Sequence, residues 1–187
     1  NEEGVGKGLE LSGLPREDVF ITTKVWNTEQ GYDNTLKSFD ESLKRLNTDY
    51  VDLYLIHWLV QTKYKETYKA METIYASGRA KAIGVCNFNT RQLEDLMEHT
   101  DVIPALNQVE MHPYLIQNEL LHFCRIHGIR LEAWRPIMMG EVANIPKISE
   151  IGQAHNKSEV QIALRWLIQR GVAVIPKSVT PKRIREN

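Results

Sequence analysis

Two kinds of apolar pattern alternate along the chain. Short unbroken runs, rich in β-branched and aromatic residues, are the signature of parallel strands covered by helices on both faces. Such runs are Asp18–Trp26 (DVFITTKVW), Val51–Trp58 (VDLYLIHW), Ala80–Val85, Leu106–Met111 with polar residues inserted, Ile129–Trp134 and Val172–Ile175. Between them apolar residues recur three and four apart. Thr35–Leu46 places Leu36, Phe39, Leu43 and Leu46 on one helical face, and a second helix runs through Tyr68–Ala76 to Gly78. A third is capped by Asn89 with Gln92 and carries Leu93, Leu96 and Met97; a fourth covers Glu119–His127 and breaks at Gly128. The best-marked helix opens with a Ser158–Gln161 capping box, bears the stripe Val160, Ala163, Leu164, Leu167 and Ile168, and ends at Gly171. Arg135–Pro146 reads as a long connection, and Pro181 suits the first turn of a last helix. At the start, Glu2–Leu11 leans towards helix but is interrupted by Gly4, Gly6 and Gly8. The GVGKG inside it follows no strand and has Leu9 where a dinucleotide loop needs its third glycine, so it is not taken as one.

Six strands alternating with helices imply an α/β fold with a parallel sheet, either doubly wound or a (β/α) barrel. The polar residues choose between them. Lys24, His57, Asn87, Gln108, Trp134 and Lys177 each stand at or just past the C-terminal end of a successive run. An open sheet gathers its ligand at one switch point, whereas every strand of a barrel delivers its end to a shared mouth. The expectation is a (β/α)8 TIM barrel, incomplete with about six βα units, forming a single partial domain over residues 1–187. A β-α-β unit in front and a helix behind are the parts expected to be missing. The chain opens NEEGVGKG without an initiator Met, and is expected to start inside a longer gene product.

Composition narrows the function classes. The 187 residues are 42% hydrophobic and 25% charged, with a net charge of −1 and mixed signs throughout. That argues against a nucleic-acid arm or a membrane-surface helix. No apolar run is long enough to span a bilayer. Cys86 and Cys124 form no C-x-x-C pattern, which points to a reduced, cytoplasmic setting. His112, His122, Cys124 and His127 fit no zinc spacing, so no metal is expected.

The segments PREDVFITTKVWN, VDLYLIHW, GRAKAIGVCNFN, NQVEMHP, EAWRP and IPKSVTPKRIREN, in that order, resemble the aldo-keto reductases. The resemblance runs from Asn1 to Asn187 and is strongest to the branch of glyoxal/methylglyoxal reductases and prostaglandin F synthases. It implies a (β/α)8 barrel and NADPH-dependent reduction of aldehydes and ketones, by hydride transfer from the nicotinamide to the carbonyl carbon. Lys24 then matches the lysine that lowers the pKa of a catalytic tyrosine, and His57 the histidine that orients the carbonyl. The tyrosine and aspartate completing the family's tetrad have no match here. The chain alone is therefore expected to turn over poorly, and its intact parent to be active. The rival expectation is a non-catalytic, nicotinamide-binding regulatory subunit of the same fold.

The resemblance also assigns the coenzyme contacts. Cys86, Asn87 and Gln108 would hold the nicotinamide carboxamide, with Cys86 in place of a serine, and Trp134 would stack on the ring. Arg135, replacing a serine, would pair with the pyrophosphate, and Ile137 would belong to the segment folding over the dinucleotide. Lys177, Ser178, Val179, Thr180 and Arg183 would bind the adenosine 2′-phosphate at a helix N-terminus, and Glu186 and Asn187 would contact adenine. Trp26 and Trp58 would line a pocket for a small carbonyl substrate. A monomer is expected, with NADPH/NADP+ as the coenzyme.

Overall fold

A computed structural model describes residues 1–187. Parallel strands alternate with helices, as the pattern predicts. The elements are α1 (Glu2–Ser12), β1 (Thr22–Val25), α2 (Tyr32–Leu46), β2 (Leu53–Ile56), α3 (Tyr64–Ala76), β3 (Ile83–Cys86), α4 (Thr90–Met97), β4 (Leu106–Glu110), α5 (Asn118–Ile126), β5 (Arg130–Trp134), α6 (Pro146–His155), α7 (Glu159–Gln169), β6 (Ala173–Val174) and α8 (Pro181–Glu186). The strands pair in chain order from β1 to β6, and the order stays open at both ends. No helix is long and apolar enough to cross a membrane. The chain divides into two compact units, Asn1–Leu106 and Asn107–Asn187.

In the first unit the register is Val25 opposite Ile56 and Ile56 opposite Val85, with β1–β2 and β2–β3 both parallel. Successive side chains of a strand alternate between faces. Lys24 on β1, Leu55 on β2 and Gly84 on β3 therefore share one face, and so do Trp26, His57 and Cys86 two positions on. On that face Leu53, Leu55 and Cys86 form a dry cluster against Ala82 and Leu106. Gly84 is required there, because a Cβ at this position would collide with the Leu106 backbone carbonyl. The opposite face is covered by helices, and Phe39 packs edge-on against Tyr54 with ring centroids 4.8 Å apart.

Helix α1 is a full eleven-residue helix, against the expectation that its glycines would spoil it. Gly6 explains it. A Cβ on Gly6 would lie 2.5 Å from the Leu46 carbonyl oxygen, so its hydrogen lets α1 sit directly on the end of α2. The buried face of α2 also differs from the expected one. It is Thr35, Ser38, Phe39, Ser42 and Leu46, while Leu36 and Leu43 from the expected stripe are only half-buried. Helix α3 starts at Tyr64 rather than Tyr68, because Tyr64, Thr67 and Tyr68 are all buried.

In the second unit β5 and β6 are parallel, with Ala133 opposite Val174, and β6 is only two residues long. The expected connection Arg135–Pro146 contains a kinked 3-10 segment, Met138–Asn144. The unexpected helix α6 follows, opened by Pro146 at its first position and closed by left-handed Asn156. Its apolar stripe is too thin to be seen in sequence, since Ile148 and Gly152 are its only buried residues. Val142, Ile148 and Ala163 form the small core joining this segment to α7, with Val160 and Ile162 against it. Ile168, placed in the α7 stripe by its spacing, is exposed.

Asp52, just before β2, ties down the end of the first unit's sheet away from His57. Its carboxylate accepts from the Ile21 N–H at 2.9 Å and the Arg16 guanidinium at 2.8 Å, with Lys81 Nζ at 3.4 Å. Arg16 and Lys81 both lie over the Tyr50 ring, at 4.0 and 4.1 Å from its centroid. Burial acts to raise the Asp52 carboxyl, but the Ile21 N–H and the two cations together hold it below the ordinary aspartate value. A carboxyl depressed in the folded state adds stability above its unfolded pKa, and that contribution disappears as pH falls through the folded one. Asp52→Ala should therefore cost about 3 kcal/mol in denaturant unfolding at neutral pH, because Arg16 loses its carboxylate and the Ile21 N–H loses its acceptor. The gap between variant and wild type should close as the pH drops below about 4. A pH-independent gap would show that the carboxylate's charge contributes nothing.

Candidate functional site

The chemistry-bearing residues of the first unit follow from the register. β2 is buried throughout as Leu53–Ile56, so the first position able to carry a polar group is His57. Its backbone N–H donates to the Val25 carbonyl at 3.2 Å, continuing the β1–β2 ladder one step beyond the strand. The ring lies edge-on to Trp26, with centroids 4.8 Å apart and planes at 64°, and faces Trp58 at 6.4 Å and 27°. Trp26 and Trp58 are 53% and 44% exposed, so both indoles are open to solvent beside the imidazole and are not core. The Trp58 loop is fixed from behind: the fully buried Gln30 donates through Nε2 to the Trp58 carbonyl at 2.6 Å.

His57 is half-buried, and its pKa is lowered first by that burial and then by the charge of Lys24 on the neighbouring strand. The two residues that matched the family tetrad are thus electrostatically coupled. The imidazole is held neutral near pH 7, with one N–H to offer and one acceptor nitrogen. Asn87 stands next to them. It adopts a left-handed backbone at φ 61°, which Asn tolerates better than most side chains, and its Nδ2 donates to the His57 carbonyl at 3.3 Å. Cys86 is almost fully buried within the Leu53–Leu55 cluster.

The seven tyrosines lie elsewhere. Tyr54 and Tyr68 are buried, and burial raises both phenols above the ordinary tyrosine value. Tyr64 packs edge-on against Phe88, Tyr50 lies under Arg16 and Lys81, and the Tyr32 hydroxyl meets that of Thr73 at 3.1 Å. Tyr75 and Tyr114 are exposed.

In the second unit Gln108 is buried on β4, and its Nε2 donates to the Glu132 carboxylate on β5 at 2.5 Å. Glu132 shares a face of β5 with Trp134, which is half-buried. Arg135 has a left-handed backbone at φ 55°, and its guanidinium reaches back to Glu110 at 3.2 Å. His112 Nε2 is 3.4 Å from the same carboxylate oxygen. Ile137 packs with Met138 on the Val142 cluster, while Met139 is largely exposed.

Past β6, Lys177 and Ser178 line a cavity of about 660 Å³ together with Ile175, Pro176, Ile184 and Asn187. The Ser178 hydroxyl accepts from the Thr180 N–H at 3.1 Å. Val179, Thr180 and Arg183 are exposed, and within α8 it is Lys182 that pairs with Glu186, at 3.8 Å. The Glu186 carbonyl accepts from Gln161 Nε2 at 3.0 Å, and Glu186 and Asn187 border the apolar side of α7 around Ile162 and Trp166. Two residues matter that the sequence pattern did not single out, Gln30 and Glu132. The signal for Glu132 is a carboxylate in the middle of a short strand, on the same face as Trp134.

The description of the aldo/keto reductase family matches residues 1–187, and the chain belongs to that family. It is 51% identical over 187 residues to the glyoxal reductase of Bacillus subtilis, covering all of this chain and 68% of that protein. Its fold superimposes on an aldo/keto reductase from Brucella melitensis with a TM-score of 0.96 at 51% identity, covering 100% of this chain and 73% of that one. A variant of Gox0644 crystallised in complex with NADPH gives 0.95 at 48% identity, covering 100% and 68%. The chain spans about two thirds of the length of the curated relatives it matches, 66% of one from B. subtilis and 67% of one from Trypanosoma cruzi. The parallel strands are therefore those of the family's TIM-type barrel, present here as an open six-stranded sheet.

The coupling of Lys24 and His57 can be measured. The His57 imidazole should titrate below the ordinary histidine value of about 6.5 in an NMR pH series. Lys24→Met, which removes the charge and keeps the length, should move the midpoint back up. An unchanged midpoint would mean that Lys24 does not act on His57.

Proposed function

We propose that the chain is the coenzyme-binding and carbonyl-orienting part of an NADPH-dependent reductase of aldehydes and ketones. The observation that carries this reading is the shared face of Lys24, Trp26, His57 and Cys86, fixed by the β1–β2–β3 register, with two exposed tryptophans against the His57 ring.

The bound coenzyme would supply a hydride to the carbonyl carbon, so negative charge develops on the oxygen. A neutral imidazole suits that position. His57 can donate one N–H to the oxygen without burying a full charge, and it orients the carbonyl as it does so. Lys24 adds a positive charge next to it. Trp26 and Trp58 would hold the apolar remainder of the substrate and exclude water from it. Within residues 1–187 no tyrosine occupies the family's proton-donor position, so the roles proposed for this chain are binding and orientation. The second reading is a nicotinamide-binding regulatory protein of the same fold; NADPH binding by the full-length gene product without turnover on any carbonyl would decide for it.

The donor sets fit the proposed coenzyme. Gln108 presents a buried amide beside Trp134, and Asn87 a second amide. Lys177, Ser178, Thr180 and Arg183 combine two cations with two hydroxyls, a set suited to a dianionic phosphate ester. Arg135 would leave Glu110 to meet the pyrophosphate, with Ile137 next to it. Val179, Glu186 and Asn187 would border the adenosine. NADP+ carries the 2′-phosphate and NAD+ does not, so the phosphate set predicts preference for the former. A small α-dicarbonyl is the substrate class to try first, because the glyoxal reductase of B. subtilis is among the relatives. We also propose that residues 1–187 act as one domain and that the protein is a monomer.

Lys177→Ala with Arg183→Ala should weaken NADPH binding by at least about tenfold in a fluorescence titration and leave NADH nearly unaffected. Equal losses for both coenzymes would misplace the phosphate site. In protein that turns over a carbonyl, His57→Ala should lower kcat by roughly 10²-fold, and undiminished turnover would remove His57 from the mechanism.

A further inference from the structure

Glu132 is a half-buried acidic residue in the middle of β5 and is used by none of the steps above. Its carboxylate receives the Nε2 of Gln108, whose side chain is 5% exposed. This contact has a chemical consequence. A glutamine amide can turn over about its last torsion at little cost, exchanging its donor and acceptor ends. An ionised carboxylate only accepts, so a glutamine facing it must present its NH2 group there. A charge-assisted bond of this kind is about twice as strong as a neutral one, and it is short here, at 2.5 Å. The Gln108 amide is therefore held in one orientation, and its oxygen is the end left to a ligand.

On the coenzyme-binding reading above, on which this inference rests, we propose that Glu132 is a positioning residue. It makes Gln108 an obligate acceptor, and so makes the site selective for a pyridine ring bearing a primary amide. A carboxamide NH2 can donate to the Gln108 oxygen. An acetyl group at the same ring position has no hydrogen to give, and a carboxylate would be repelled by both the oxygen and the nearby Glu132 charge. Glu132 thereby sets which end of the nicotinamide's own amide is gripped, and through it which face of the ring is presented.

The test compares three ligands by equilibrium titration: NADP+, its 3-acetylpyridine analogue, and adenosine 2′,5′-bisphosphate, which has no pyridine. The wild-type chain should prefer NADP+ to the analogue by about tenfold, the value of one hydrogen bond. Glu132→Leu should bring the two within about twofold of each other, while the bisphosphate affinity stays within about twofold of wild type. Because Glu132→Leu can disturb the strand, Glu132→Gln carries the same test at constant volume. It lets the Gln108 amide take either orientation, and should also reduce the preference. Undiminished preference in the variants that still bind the bisphosphate would overturn the role of Glu132. Failure of the wild-type chain to bind any of the three ligands would instead overturn the coenzyme-binding reading itself.

Discussion

The structure depends on the register of parallel strand pairing. Val25, Ile56 and Val85 stand opposite one another, and everything chemical in the first unit is counted from that line. One residue on come Trp26, His57 and Cys86; one back come Lys24, Leu55 and Gly84. Strand residues alternate between faces, so a slip of a single position would turn Lys24 and His57 into the helix layer and bring apolar neighbours into their place. The register is held by a continuous apolar strand, Leu53–Ile56, in which all four residues are buried. Gly84 helps from within the sheet, since the Leu106 carbonyl occupies the space where a side chain would be.

The two ends of the first unit's strands are treated differently, and the difference explains where function can reside. At the Asp52 end the polar groups are mutually satisfied: Asp52, Arg16, Lys81 and Tyr50 form a closed set. At the His57 end stand a half-buried imidazole, a half-buried lysine and two exposed indoles. Backbone conformations tell a related story. Asn87 follows β3 in a left-handed conformation, and Arg135, Met138 and Met139 follow β5 in the same region. For arginine and methionine that is costly, and such residues persist where tertiary structure holds them in place for a role in binding or switching. The residues concerned are among, or next to, those assigned to the coenzyme.

Much of this was legible in the chain itself. The alternation of strands and helices, the strand ends carrying Lys24 and His57, and the capping boxes at Asn89 and Ser158 all appear in the structure. They are local patterns, set by periodicity and by residues three apart. What escaped was set by contacts between distant segments. Helix α1 looked spoiled because the value of Gly6 lies in its contact with Leu46. The face of α2 was misplaced because Thr35, Ser38 and Ser42 are buried in preference to Leu36 and Leu43. Helix α6 buries too few apolar side chains to leave a periodic trace. The Gln108–Glu132 and Asn87–His57 bonds join residues 24 and 30 positions apart, which no short pattern can express.

The proposed function has residues from successive strand ends bind a nicotinamide coenzyme. Amide and indole chemical shifts of the isotopically labelled chain, recorded as NADP+ is added to saturation, test it most directly. Large shifts are expected at Trp26, His57, Asn87, Gln108, Trp134 and the 177–183 segment, all following a single binding curve, with Asp52 and its partners unmoved. Shifts confined to one of these groups, or several groups titrating with different affinities, would contradict it.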